Sequence, residues 1–139
     1  MKTKGFTLIE LLVAISIIAV LSVIGLIAYF GTIAKGRDNV RKEDLNKLSL
    51  ALEIYAQKNG SYIIQASNCA FSYTFYSAIK TNMSDGIVPK DPKTGDNYCY
   101  TSATGATYTL CATLENTSDS EKILNGCGDS KFNYQVTPK

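Results

Sequence analysis

A chain of 139 residues with a hydrophobic share of 45% is long enough for one domain and too short for two well-filled cores. Charge is nearly balanced, 14 Lys+Arg against 12 Asp+Glu, with Lys2 and Lys4 supplying the surplus, which excludes a strongly electrostatic nucleic-acid binder. There is no His to serve as the usual base for a Ser or Cys nucleophile and no glycine-rich phosphate loop, so no catalytic residue, metal or cofactor is expected.

The chain opens "MKTKGFTLIELLVAISIIAVLSVIGLIAYF". Two lysines and Gly5 lead into an apolar run, and Leu11 to Phe30 carries no charge. As a helix that segment is about 30 Å long, the thickness of a bilayer's hydrocarbon core. It exceeds the roughly 7–15 apolar residues of a secretory signal, and no small-residue cleavage site follows it. A plain anchor leaves Glu10 unexplained. A carboxylate at the centre of a span costs about 2.5–3.5 kcal/mol, less near a helix end, and asks for a named partner.

The stretch "KGFTLIELLVAISIIAVL" resembles the N-terminal signature of the type IV pilin family, which includes the pseudopilins of type II secretion and the competence pilins. The resemblance covers about the first thirty residues. It implies that a membrane-embedded prepilin peptidase cuts between Gly5 and Phe6 and methylates the new amine of Phe6. It also implies that Glu10 neutralises the terminal amine of a neighbouring subunit. An unpaired charge in a low-dielectric bundle is expensive and a paired one tolerable, so such a pair acts as a register device. A helix-end glutamate snorkelling to the headgroups is the plain alternative.

Beyond the span, "GTIAKGRDNVRKEDLNKLSLALEIYAQKNG" keeps helical spacing. Ile33, Val40, Leu48, Leu52 and Tyr55 share approximately one face, with Leu45 at its edge, and Asn59-Gly60 is a C-terminal stop. One helix from Phe6 to Asn59 would run roughly 80 Å. Gly25, Gly31 and Gly36 weaken it by up to about 1 kcal/mol each relative to alanine, favouring a bend or local unwinding. Lys35, Arg37, Arg41 and Lys42 follow the span, so the positive-inside count does not favour an outside C-terminus. The leader and the cysteines set the orientation instead.

After Gly60 the chain reads as loop, then a short helix from Phe75 to Met83, then an irregular "VPKDPKTGD" in which Pro89 and Pro92 forbid a regular element. "IVPKDPKTGDNYCY" again resembles pilin and pseudopilin sequences, where such a turn enters the sheet. Some pseudopilin heads bind calcium; Asp91 and Asp96 are better read as turn residues. "NYCYTSATGATYTLCATLEN" reads as a hairpin with Gly105 in the turn. That register sets Tyr100 opposite Leu110 and Cys99 opposite Cys111, with Tyr98, Tyr108 and Ala112 on the Tyr100 face. Phe132, Tyr134 and Val136 alternate inward on a third strand.

Cys69, Cys99, Cys111 and Cys127 all lie in the C-terminal half. An even count at wide spacing, without close pairs or His, favours disulfides over zinc. Four cysteines permit three connectivities, and the hairpin register favours Cys99 with Cys111, which leaves Cys69 with Cys127.

The expected fold class is α+β: a long N-terminal helix, half transmembrane and half amphipathic, packed on a small three-stranded antiparallel head of pilin type. Residues 1–5 form the leader, 6–30 the membrane or filament-core helix, 31–60 its amphipathic continuation and 61–139 the disulfide-bonded head. By the resemblance, the product is a homo-oligomeric helical filament at the cell envelope, with single-pass residence in the inner membrane before assembly. Its partners are membrane lipid, prepilin peptidase, the assembly machinery and minor pilins, with no direct nucleic acid. A pseudopilin of a secretion or DNA-uptake system is the second reading. A membrane-anchored extracytoplasmic binding or redox domain that never polymerises is a third, of another class.

Overall fold

A computed structural model describes residues 5–65, 69 and 72–138, with the backbone alone at Ile27. Helix α1 runs Leu8–Asn59 and α2 Tyr73–Asn82. Strands β1 (Cys99–Thr101), β2 (Thr109–Ala112) and β3 (Tyr134–Val136) form one antiparallel sheet in the order β1-β2-β3. The chain divides between Ala34 and Lys35 into two compact units. α1 continues through Gly25, Gly31 and Gly36 without interruption.

In the second unit, the buried stripe of α1 is Leu45, Leu48, Ala51 and Leu52. This corrects the expected face by part of a turn: Leu45 is wholly buried, whereas Val40 is 43% exposed. The stripe extends N-terminally through two charged residues, Asp38 and Arg41, which the hydrophobic pattern passes over. At the other end Gly60 adopts φ +78 and donates to the Ala56 carbonyl at 2.7 Å, the left-handed stop expected of Asn-Gly.

The hairpin has the expected register, Cys99 with Cys111 and Tyr100 with Leu110. Gly105 takes φ +76 and its carbonyl accepts from the Tyr62 N–H at 2.8 Å. Tyr98, Tyr100, Tyr108, Leu110 and Ala112 all enter the core, against Leu45, Leu48, Leu52, Phe75 and Ile79. Each buried tyrosine keeps a partner for its hydroxyl: Tyr98 donates to Asp44 (2.7 Å), Tyr100 to the Ile63 carbonyl (2.6 Å), and Tyr108 pairs with Ser49 (2.8 Å). β3 sets Val136 against Leu110 and Tyr134 against Ala112. α2 begins two residues before the expected Phe75, because the Ser72 hydroxyl caps it by accepting from the Phe75 N–H at 3.1 Å.

The cysteines overturn the expected pairing. Cys69 is bonded to Cys99, and Cys111 to Cys127. Ser102 turns its backbone outward to Gln65, and the Ala112 carbonyl faces β3. By alternation, Cys99 and Cys111 are therefore a hydrogen-bonded pair, whose side chains stand wider apart than in the alternate pairs. Both side chains leave the sheet on the face away from Tyr100, and each sulfur is bonded to a cysteine from outside the sheet, Cys69 or Cys127. The loops closed have sequence separations of 30 and 16, each closure stabilising by about 3–4 kcal/mol through the unfolded chain.

Candidate processing and assembly site

Gly5, Phe6 and Thr7 precede the first turn of α1. Thr7 stands at the N-cap and Glu10 three residues on, and the two cap each other. The Thr7 N–H donates to Glu10 Oε2 at 2.8 Å, the Thr7 hydroxyl donates to the same oxygen at 2.7 Å, and the Glu10 N–H donates to Thr7 Oγ1 at 3.3 Å. This is a capping box, and it gives the carboxylate a helix-start role inside its own chain. The Thr-x-x-Glu spacing carries that signal in the sequence; sequence reasoning directed at the charge alone passes over it.

Around the cap the surface is apolar and uncovered. Phe6, Ile9, Val13, Ala14 and Ile17 flank Glu10, with Phe6 84% and Ile9 70% exposed. The described side chains stay exposed on all sides of the helix as far as Phe30. The serine and threonine hydroxyls along this part of α1 are satisfied within the helix: Ser16 donates to the Val13 carbonyl (2.8 Å), Ser22 to Ile18 (2.7 Å) and Thr32 to Ala28 (2.9 Å). Among the described residues α1 is the one helix long and apolar enough to cross a membrane, and none of that stretch is covered. A surface with its small hydroxyls internally paired and its apolar groups bare suits a nonaqueous surrounding.

The second unit holds its charge in a different place. Arg41, its side chain 3% exposed, reaches Asp38 (2.7 Å), Asp91 (2.7 Å) and Glu115 (2.8 Å). Arg37 and Lys93 also bind Glu115, at 2.6 and 2.9 Å. Asp38 accepts from the backbone N–H groups of Glu115 and Asn116 (2.9 and 2.7 Å). Asp91 also accepts from the N–H groups of Lys93 and Thr94 (2.8 and 3.0 Å), the turn role expected for it. Lys42 binds Asp119 and Glu121 (2.9 and 2.6 Å). Three of the four cations that follow the span are thus committed to carboxylates of the head.

Burial opposes the charge on both Arg41 and Asp91, and pairing outweighs it. Asp91 is held down at about 2 by Arg41 and the turn N–H groups, and Arg41 is raised by its three carboxylates. Glu115 is held well below the usual range, first by Arg37. Asp44 goes the other way: burial raises it, and the Tyr98 hydroxyl only partly compensates. Among the described residues no group of His, Cys, Asp and Glu side chains is arranged to hold a metal ion.

Residues 1–26 match the family model described as the prokaryotic N-terminal methylation motif. That motif is the type IV pilin and pseudopilin signal. The chain thus combines a pilin-type N-terminal signal with a pilin-like α+β fold. Searches of curated proteins and of solved structures find no match.

Proposed function

We propose that this chain is a structural subunit of pilin type. It is cleaved between Gly5 and Phe6, methylated at the Phe6 amine, held by the apolar part of α1 in the membrane, and then polymerised into a type IV pilus-like filament. In this reading residues 1–5 are the leader, 6–30 the filament-core helix, 31–60 its amphipathic continuation and 61–139 the outward head. Prepilin peptidase and an assembly machine are its partners. The observation that carries the reading is the methylation motif over residues 1–26, set on the uncovered apolar part of α1, in which Glu10 is the single carboxylate.

Glu10 has two physical roles to separate: capping its own helix, and neutralising the amine of a neighbour. A capping box accepts Gln as well as Glu at this position. Glu10→Gln therefore retains most of the cap and loses the charge, whereas Glu10→Ala loses both. The expected result is that both variants are cleaved and inserted, and that neither yields filaments by electron microscopy of sheared cells. Normal filaments from Glu10→Gln would leave the cap as the residue's whole function. Mass spectrometry of native material should give an N-terminus at Phe6 carrying one methyl group; retention of Met1 to Gly5 would end the reading.

A further inference from the structure

Two disulfides stand side by side on the outer face of the sheet, and their chemistry is independent of the filament reading. Cys99 and Cys111 are register partners on adjacent strands, both fully buried, yet each is bonded to a half-buried loop cysteine, Cys69 or Cys127. Opposed residues in a hydrogen-bonded antiparallel pair have Cα atoms about 5.5 Å apart. That lies inside the roughly 4.4–6.8 Å that a disulfide spans. By this backbone measure the two strands can stay paired, and joining asks only that the two side chains, which stand wider apart than in the alternate pairs, close on each other.

We propose that the four cysteines form an exchange relay, in which one two-electron reduction by a dithiol frees both Cys69 and Cys127 from the sheet and leaves a Cys99–Cys111 bridge. The reductant enters at a half-buried sulfur. Its thiolate attacks Cys69 Sγ, forming a mixed disulfide and expelling Cys99 as a thiolate. A thiolate at that buried site is poorly solvated. It is consumed by attack on Cys111 Sγ, which breaks Cys111–Cys127 and expels the Cys127 thiolate toward solvent. The second thiol of the reductant then attacks its own sulfur in the mixed disulfide, freeing Cys69 and closing the oxidised reductant. Two electrons pass from the dithiol to the protein, and its two protons finish on Cys69 and Cys127. Entry at Cys127 runs the mirror path: Cys111 leaves, attacks Cys99 Sγ and expels Cys69. Both routes converge on one product. Exchange of this kind needs an attacking thiolate, an adjacent disulfide and a leaving thiol with access to solvent. The opened first bridge supplies the thiolate, the register the adjacency, and the half-burial of Cys69 and Cys127 the access.

The test is a titration of the full-length protein with limiting dithiothreitol, an acid quench, labelling with N-ethylmaleimide and tryptic mapping. Cys99 and Cys111 share the tryptic peptide 94–122, while Cys69 lies in 59–80 and Cys127 in 123–131. Native protein gives these three peptides linked together. The expected two-thiol species gives peptides 59–80 and 123–131 labelled and free, with peptide 94–122 unlabelled and lighter than its reduced form by two hydrogen atoms. Labels on Cys69 with Cys99, or on Cys111 with Cys127, would overturn the relay, as would passage straight to four thiols. Cys69→Ser gives a second reading, since it leaves the Cys99 thiol beside an intact bridge. Label is then expected on Cys127; label on Cys99 alone would overturn the relay independently.

Discussion

Arg41 is a cation with almost no water, and that fixes what its removal does. Three carboxylates from three segments converge on it, and Glu115 draws in Arg37 and Lys93 as well. Taking away one partner of a buried ion pair typically costs about 3–5 kcal/mol, because the remaining charges stay desolvated and uncompensated. Arg41→Ala should therefore lower the stability of the full-length protein by about that amount, read by denaturant unfolding in detergent. A loss below about 1 kcal/mol would place the network among surface ion pairs. This residue was the least legible in the sequence. Its partners Asp91 and Glu115 lie 50 and 74 positions away, and no local rule connects them. An arginine near the end of an apolar span reads naturally as a solvated or headgroup-facing charge.

Elements fared better where their signals are local. Alternation of tyrosine and leucine about a single glycine sets the hairpin register, because a slip of one residue would turn every ring to the other face. Gly105 supports that register in a second way: a Cβ there would lie 2.9 Å from the Tyr62 carbonyl oxygen, at a φ of +76. Left-handed backbone costs a non-glycine residue about 1–2 kcal/mol before any clash. Gly105→Ala should cost more than that, about 2–3 kcal/mol, and hydrogen exchange should show the Tyr62 and Gln65 amides losing protection together. Unchanged protection would mean that the turn relaxes freely. The disulfides show the limit of the same reasoning. Register places Cys99 beside Cys111, but which sulfur each one meets depends on loops that carry no periodic signal. Part of the loop around Cys69 lies outside the described residues.

For the whole molecule the ion network and the buried carboxylates set a response to acid. Asp91 is held at about 2 against an ordinary value of 3.8, so it contributes stability that is fully present above pH 4 and is lost as pH falls toward 2. The contribution is about 2 kcal/mol. Glu115 is lowered too and adds to the loss. Asp44 has the opposite sign: its raised value makes ionisation a cost in the folded state, which acid relieves. Asp91 and Glu115, with Asp119 and Glu43 lowered as well by their lysines, predict a net fall in unfolding free energy between pH 4 and 2. That window lies below the one in which Asp44 is relieved. Arg41→Ala should flatten that slope, because the carboxylates lose the partner that holds them down. An equal slope in the variant would assign the acid response to other groups.

The knot between Thr7 and Glu10 has a further implication for maturation. The proposed scission after Gly5 would sever nothing that the knot uses, since both residues and the N–H of Thr7 lie downstream of that bond. Under the proposed maturation, winding of the spine would outlive the loss of the leader, and the product would differ from its substrate in the electrical character of its tip rather than in its coil. In that reading one glutamate holds its own turn through Thr7 and also meets a stranger's amine.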